Sequence, residues 1–296
     1  MRVAVLANPN SWYLQDIRRA AADQHEIMPV SFSTLAANLG PDGLQVASGT
    51  GTAKPTVHEM DAMLVRTMPP GSLEQVVFRM DILAGLESAG RVVVNSAKAM
   101  EAAVDKFLSL LRLAEAGLTV PRTFACQTSD EALTAFESLG RDVVIKPLFG
   151  SEGRGITRVS DDDLAYRAFR MLESMGAVIY VQEFIPHAGS DWRVLTIGDR
   201  MFGMKRYNSS DWRTNVSRGA SAEPLEIDDR LAQIARTAAS AVGATIAGVD
   251  VLPGTDGRWY VLEVNAVPGW KRLSQVLSVD VAQLVLQHVR ELIEHR

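Results

Sequence analysis

Cysteine is nearly absent. The single thiol, Cys126, excludes an intrachain disulfide and points to a reducing, cytoplasmic setting. Long apolar runs are missing too, since no stretch reaches the roughly 20 residues of a membrane helix. The apolar run inside residues 1–8 is too short for a signal peptide and no small-residue cleavage pattern follows it, so neither export nor a membrane partner is expected. Positive charge is in deficit, with 30 Lys and Arg against 35 Asp and Glu and a net charge of -5. That balance gives no electrostatic basis for binding nucleic acid. The five histidines, His25, His58, His187, His288 and His295, do not pair at zinc-ligand spacing and read as surface or loop residues. No Ser-His-Asp set is evident. No Gly-x-Gly-x-x-Gly follows the first strand, which argues against a nicotinamide or flavin dinucleotide, and no Gly-Lys-Ser/Thr marks a Walker A loop.

What remains is the make-up of an ordinary folded enzyme, 47% hydrophobic and 22% charged. A chain of 296 residues has room for two or three modules. Residues 2–7 form a β-branched run followed by the turn Asn8-Pro-Asn-Ser and a helical pattern over 12–22. Strands are expected over 27–32, 62–66 and 91–95, with a helix over 73–89. This is a Rossmann-like α/β unit over residues 1–95, with 38–58 read as a loop holding one weak hairpin. Ser96 caps a single long helix to about residue 116, with Asp105-Lys106 in its middle and Gly117 and Pro121 after it. Residues 96–186 form a linker helix and a central subdomain, and residues 187–296 a C-terminal subdomain with an antiparallel sheet and a terminal helix over 280–294.

Three stretches could carry chemistry. The strand Val144-Ile-Lys146-Pro runs into Gly150-Ser151-Glu152-Gly153-Arg-Gly155, a loop whose backbone N–H groups can turn toward phosphate beside a mobile cation. The strand 258–265 places Glu263 and Asn265 two apart, hence on one face. A turn at Pro253-Gly-Thr-Asp-Gly257 would bring Asp250, on the preceding strand, alongside them. Two carboxylates and a carboxamide suit a hard divalent ion that keeps other positions for water and phosphate. Taken singly, each stretch has an ordinary alternative: a hairpin glycine turn, surface lysines, a capped turn with a polar sheet face.

Their order is more specific. Asp105-Lys106, Lys146, the glycine loop, Gln182-Glu183-Phe184-Ile185, Asp191-Trp-Arg193, Lys205-Arg206, Thr214-Asn215-Val-Ser-Arg218 and Asp250 with Glu263-Val-Asn265 follow one another as in ATP-grasp enzymes. From Asn95 to Pro268 the chain resembles the RimK-like branch of that superfamily. The resemblance implies an α/β ATP-grasp fold behind a pre-ATP-grasp domain, and a ligase that makes an amide through an acylphosphate with release of ADP. Lys106 and Lys146 would contact the phosphates and Gly150 to Gly155 would form a lid over them. Gln182 to Ile185 would line the adenine slot, with Asp191 near the ribose. Asp250, Glu263 and Asn265 would hold Mg2+ or Mn2+, two ions in all. Arg193, Arg218, Lys205, Arg206 and Asn215 would face the reacting phosphate and the carboxylates of L-glutamate and an acceptor, because guanidinium forks match carboxylates. A homo-oligomer, dimer or tetramer, is implied as well.

Three segments depart from the common relatives: Asn8-Pro-Asn-Ser-Trp-Tyr-Leu-Gln-Asp16, Arg66-Thr-Met-Pro-Pro-Gly through Arg79, and Ala266-Val-Pro-Gly-Trp270. They resemble the subgroup associated with tetrahydromethanopterin-type cofactor synthesis, whose implied task is adding glutamate to the pterin. Trp12, Tyr13, Trp212 and Trp270 are the candidates for stacking its ring. A ligase acting on a protein tail or an amino-acid carrier protein, or a non-catalytic nucleotide-binding regulator, would use the same fold.

Overall fold

The computed structural model describes residues 1–49, 56–150, 154–208, 211–214 and 221–296. The chain opens with β1 (Arg2–Leu6), α1 (Trp12–Ala21), β2 (Glu26–Val30), β3 (Leu35–Gly40), β4 (Gly43–Ser48), β5 (Ala62–Val65), α2 (Leu73–Ser88) and β6 (Val92–Val94). Strands β2-β1-β5-β6 form one sheet, paired in parallel throughout. It is parallel because each crossover runs through a connection long enough to cover a face. Val3 and Val5 pack against Leu14 and Ile17 of α1, while Ala4 and Leu6 face Leu83 and Leu86 of α2. The hairpin expected within 38–58 begins earlier and is well formed, β3 and β4 pairing over six residues each.

Next come α3 (Ala97–Val104), α4 (Lys106–Glu115), β7 (Thr123–Cys126), α5 (Ser129–Ser138), β8 (Val143–Lys146), β9 (Thr157–Val159), α6 (Asp162–Ser174) and β10 (Ile179–Glu183). Here β7-β10-β8-β9 form an antiparallel sheet. Phe136 of α5 and Phe169 of α6 bury against its strands.

The single helix expected over 96–116 is two helices. Nothing in its composition breaks it, but Asp105 takes an extended backbone and its carboxylate accepts the N–H groups of Phe107 (2.8 Å) and Leu108 (3.0 Å), starting a new helix. The backbone N–H of Lys106 then turns to the carbonyl of Leu148, and its Nζ to the carbonyl of Gly150 at 2.7 Å. The break thus aims a lysine at the glycine loop. Asp105→Ala is expected to cost about 1 kcal/mol of stability and to raise the KM for ATP as well. Thermal unfolding alongside ATP kinetics checks both, and an unchanged KM would detach the cap from the site.

The last third contributes β11 (Ser190–Ile197), β12 (Arg200–Tyr207), β13 (Ser221–Leu225), α7 (Asp229–Val242), β14 (Ile246–Pro253), β15 (Trp259–Asn265), α8 (Lys271–Leu277) and α9 (Val281–Glu294). The antiparallel sheet β13-β12-β11-β14-β15 is backed by α7, whose Leu231, Ala235 and Val242 join the core. The β14–β15 hairpin forms as its turn residues predict, with Asp250 opposite Glu263 and Gly248 opposite Asn265. Neither α8 nor β13 was visible in the sequence pattern. His288, expected at the surface, is buried on α9, with its ring over Gly198. Among the described residues no helix is long and apolar enough to cross a membrane.

Candidate active site

A cleft lies between the second and third sheets. From β8 and β10 it takes Val144, Lys146, Gln182 and Glu183; from the third sheet Asp191, Arg206, Asp250, Leu252, Leu262 and Glu263. Lys106, Gly150, Phe184 and Ile185 line it too, whereas Val144, Leu252 and Leu262 were not singled out as site residues in the sequence, and Arg193 and Asn265, which were, are not among the lining residues. One irregularity matters here. The pairing slips between Asp250 and Val251, so that Val251 faces Val261 and Leu262 is the extra residue of a bulge. Alternation is broken, and the neighbours Leu262 and Glu263 both reach the cleft. Leu262 joins Ile185, Leu252 and Tyr260 in a small apolar cluster, a floor suited to a flat aromatic base.

Charge is laid out in rows across the third sheet. Arg193 stands opposite Asp250, which stands opposite Glu263, while Arg206 stands opposite Asp191. Arg193 grips Asp250 with two bonds of 2.6 Å, and its Nη2 lies 3.9 Å from Glu263. Arg206 holds Asp191 through bonds of 2.7 and 2.6 Å and lies 2.9 Å from Asp250. Asp250 is 3% exposed. Burial by itself would raise its carboxyl, yet the two arginines hold it well below the ordinary carboxylate range.

The opposite wall carries the lysines. Lys146 Nζ donates to Gln182 Oε1 at 2.6 Å, and Gln182 is itself anchored on Thr123 Oγ1 at 2.9 Å. Burial pushes the Lys146 ammonium from 10.5 down to about 8, and lowers Lys106 as well. With the folded value depressed, the charge is complete below pH 8 and lost as pH rises through it. Anionic phosphates favour the charged form, so nucleotide binding above pH 8 takes up a proton. The kcat/KM for ATP is expected to fall about tenfold per pH unit above that point, with Lys146→Arg flattening the fall. A wild-type profile level from pH 7 to 9.5 would refute this.

Some candidates lie elsewhere. Lys205, adjacent to Arg206 on β12, faces the other side of the sheet and pairs with Glu223 at 3.3 Å. Gly155 stands beside Pro147, outside the cleft lining. Asn265 Oδ1 accepts the N–H of Val267 at 2.9 Å, one alternation beyond Glu263. Ser151, Glu152, Gly153, Asn215 and Arg218 fall outside the described residues. Trp270 cannot stack a ligand, because it is 0% exposed and its Nε1 donates to Asp16. Of the four aromatic candidates only Trp212 lines the cleft, edge-on to Phe184 at 5.8 Å.

The sequence reading missed Arg213, Arg154 and His187. His187, expected in a loop or at the surface, lines the cleft half-buried, and burial lowers its pKa. Arg213 bonds Asp211 and the carbonyl of Ile156, tying the loop after β12 to the end of the glycine loop. Asn95 is a further one: its Nδ2 donates to the carbonyls of Ile246 and Ala266, and its Oδ1 accepts from Thr245 and Ile246. It thereby fixes the ends of β14 and β15 to the first sheet.

The donor set meets the demands of a hard cation in type: Asp250 and Glu263 are cross-strand partners and Asn265 follows on the same strand. Glu263 makes no hydrogen bond among the described residues, and its nearest cation is Arg193. No group of three or more His, Cys, Asp or Glu gathers as a metal cluster among them.

Two antiparallel sheets closing on a cleft with a glycine-rich loop define an ATP-grasp enzyme, a class that uses ATP and Mg2+ to form carbon–nitrogen bonds. Solved structures agree in fold: an ATP-grasp ligase, PsnB, with its minimal precursor, Mg and ADP superposes at a TM-score of 0.75 and 21% identity, covering 98% of this chain and 97% of that one. A RimK domain ATP-grasp protein from Sphaerobacter thermophilus gives 0.72 at 26% identity, over 98% and 100%. The model of the RimK-like ATP-grasp domain matches residues 103–289, and the chain belongs to that family. Among curated proteins, a tetrahydromethanopterin:alpha-L-glutamate ligase of Methanosarcina acetivorans is 33% identical over 80% of this chain and 82% of its own. An alpha-aminoadipate–LysW ligase, LysX, of Sulfolobus acidocaldarius is 33% identical over 68% and 75%.

Proposed function

We propose that the protein adds L-glutamate to the carboxylate of an acceptor, and that the acceptor is a tetrahydromethanopterin-type cofactor. The observation that carries the reaction class is the opposition across one cleft of Lys106 and Lys146 to Asp250 and Glu263, with Arg193 bonded to Asp250 from the neighbouring strand. The acceptor is supported by the similarity to the Methanosarcina ligase, which extends over 80% of the chain where that to LysX spans 68%. LysX-like relatives keep an amino-acid carrier protein as the second reading.

An acceptor carboxylate oxygen attacks the γ-phosphorus of ATP, the bond to the β-phosphate oxygen breaks, and ADP leaves with an acylphosphate formed. The glutamate amine then attacks the acyl carbon, phosphate departs with the C–O bond, and the amine gives up a proton. The first step brings two anions together, and Lys106 and Lys146 offset that repulsion. Asp250, Glu263 and Asn265 would hold Mg2+, which would supply charge neutralisation on the phosphates. Among the described residues Arg193 Nη1 has no hydrogen-bond partner, which leaves one edge of its fork for a substrate carboxylate. Acceptor labelled with 18O in its carboxylate should pass one 18O to the released phosphate. Unlabelled phosphate, with product still formed, would rule the acylphosphate out.

A further inference from the structure

A polar row on the cleft face of the second sheet fixes the direction in which one buried carboxamide points. In the register of that sheet Gln182 of β10 stands opposite Thr123 of β7 on one side and Val144 of β8 on the other, while Tyr180 stands opposite Lys146. Cross-strand partners and residues two apart on a strand share a face, so Thr123, Gln182, Tyr180 and Lys146 lie together. Gln182 is 2% exposed, and every polar atom of its side chain is engaged. Its Nε2 donates to Thr123 Oγ1 at 2.9 Å and to the hydroxyl oxygen of Tyr180 at 3.4 Å. Its Oε1 accepts from Lys146 Nζ at 2.6 Å.

The two ends of a carboxamide are alike in shape, one donating and one accepting, so its neighbours decide which end faces the lysine. Thr123 decides it here. Its hydroxyl gives its own proton to the carbonyl of Pro121 at 3.0 Å, which leaves the oxygen as an acceptor. That acceptor takes the amide N–H and turns the carbonyl end toward Lys146. In the reverse orientation the amide N–H groups would meet an ammonium, which has no lone pair, and the carbonyl would meet a hydroxyl whose proton is engaged elsewhere. Gln182 and Lys146 line the cleft, whereas Thr123 stands behind them and is not part of its lining. The sheet edge does not need the Thr123 hydroxyl to hold it. Strand β7 pairs with β10 through its backbone, and Glu183 Oε1 accepts the N–H of Arg122 at 2.8 Å.

We propose that Thr123 is a positioning residue for nucleotide binding: by orienting the Gln182 carboxamide it fixes the place of the Lys146 ammonium that meets the phosphates, without touching the nucleotide itself. The proposal rests on the reading of Lys146 as a phosphate ligand, and a pair of substitutions separates the two. Mg-ADP is titrated calorimetrically into wild type, Thr123→Val, Thr123→Ser, Lys146→Met and the double variant of Thr123→Val with Lys146→Met. Thr123→Val keeps the shape of the side chain and removes the hydroxyl, and it should weaken Mg-ADP binding about tenfold. Thr123→Ser keeps the hydroxyl and should stay within about twofold of wild type. On the Lys146→Met background, itself weaker than Thr123→Val, the valine substitution should add nothing, because its effect passes through the lysine. Unchanged affinity in Thr123→Val overturns the proposal. So does a loss of the same size with and without Lys146→Met, or a loss that Thr123→Ser shares in full. Thr123→Ala, read in the same cycle, decides the matter should Thr123→Val fold poorly. Unchanged affinity in Lys146→Met removes the phosphate reading and the proposal with it, whereas a loss there with none in Thr123→Val sinks the proposal alone.

Discussion

Glu263→Ala is expected to remove Mg2+-dependent ADP formation, lowering kcat by roughly two to three orders of magnitude, while leaving the fold in place. The two halves of that expectation have separate causes. Glu263 is half-buried at the cleft and makes no hydrogen bond among the described residues, its nearest cation being 3.9 Å away. Its removal therefore costs little stability, within about 0.5 kcal/mol as for substitutions away from tight contacts. The activity loss comes from what it would hold: a cation facing the phosphates beside Asp250. Steady-state ADP release against Mg2+ concentration, with a melting curve of the same sample, separates them. Normal turnover in the variant would take the metal role away from this strand.

The second large effect is on stability. Arg206→Leu removes the side chain that binds Asp191 twice and Asp250 once. Burial opposes its charge, but the two aspartates more than offset this and raise its pKa. Without it, Asp191 is left buried with no cation and Asp250 keeps only Arg193. Breaking a buried pair from one side costs about 3–5 kcal/mol, a fall in melting temperature on the order of 10 °C for a chain of this size. An unchanged melting temperature would mean that the aspartates find water or protons at little cost. The paired experiment is informative because Lys205, its neighbour, points to solvent: Lys205→Leu should move the melting temperature hardly at all.

What the sequence revealed and what it hid divide along the range of the interaction. The β14–β15 hairpin was readable because a turn of Pro, Gly, Thr and Asp between two apolar runs is a local signal. The terminal helix α9 was readable for the same reason, through Asp280 at its start. The break at Asp105 was not. Ala97 to Glu115 has helical periodicity throughout, and the alternative cap wins because the N–H of Lys106 finds Leu148 some forty residues away. The bulge at Leu262 was hidden too, since a register slip belongs to the pair of strands and leaves no mark on one of them. Site residues showed the same division. Those in ordered motifs were named in advance, while Arg213 reaches back to Ile156 and Asn95 across to Ile246 and Ala266, partners distant in the chain. Trp270 was misjudged because its burial is set by Tyr13, Arg66 and Asp16, none of them nearby in sequence.

The central claim, an ATP-driven ligase for glutamate, is tested most directly by ADP release coupled to mass spectrometry of the products. The enzyme is supplied with Mg-ATP, glutamate and a panel of carboxylate acceptors that includes a tetrahydromethanopterin-type cofactor and an amino-acid carrier protein. The account predicts ADP release that requires both glutamate and an acceptor, with one or more glutamyl units added to the pterin. ADP release that no acceptor converts into an added glutamyl mass would contradict it.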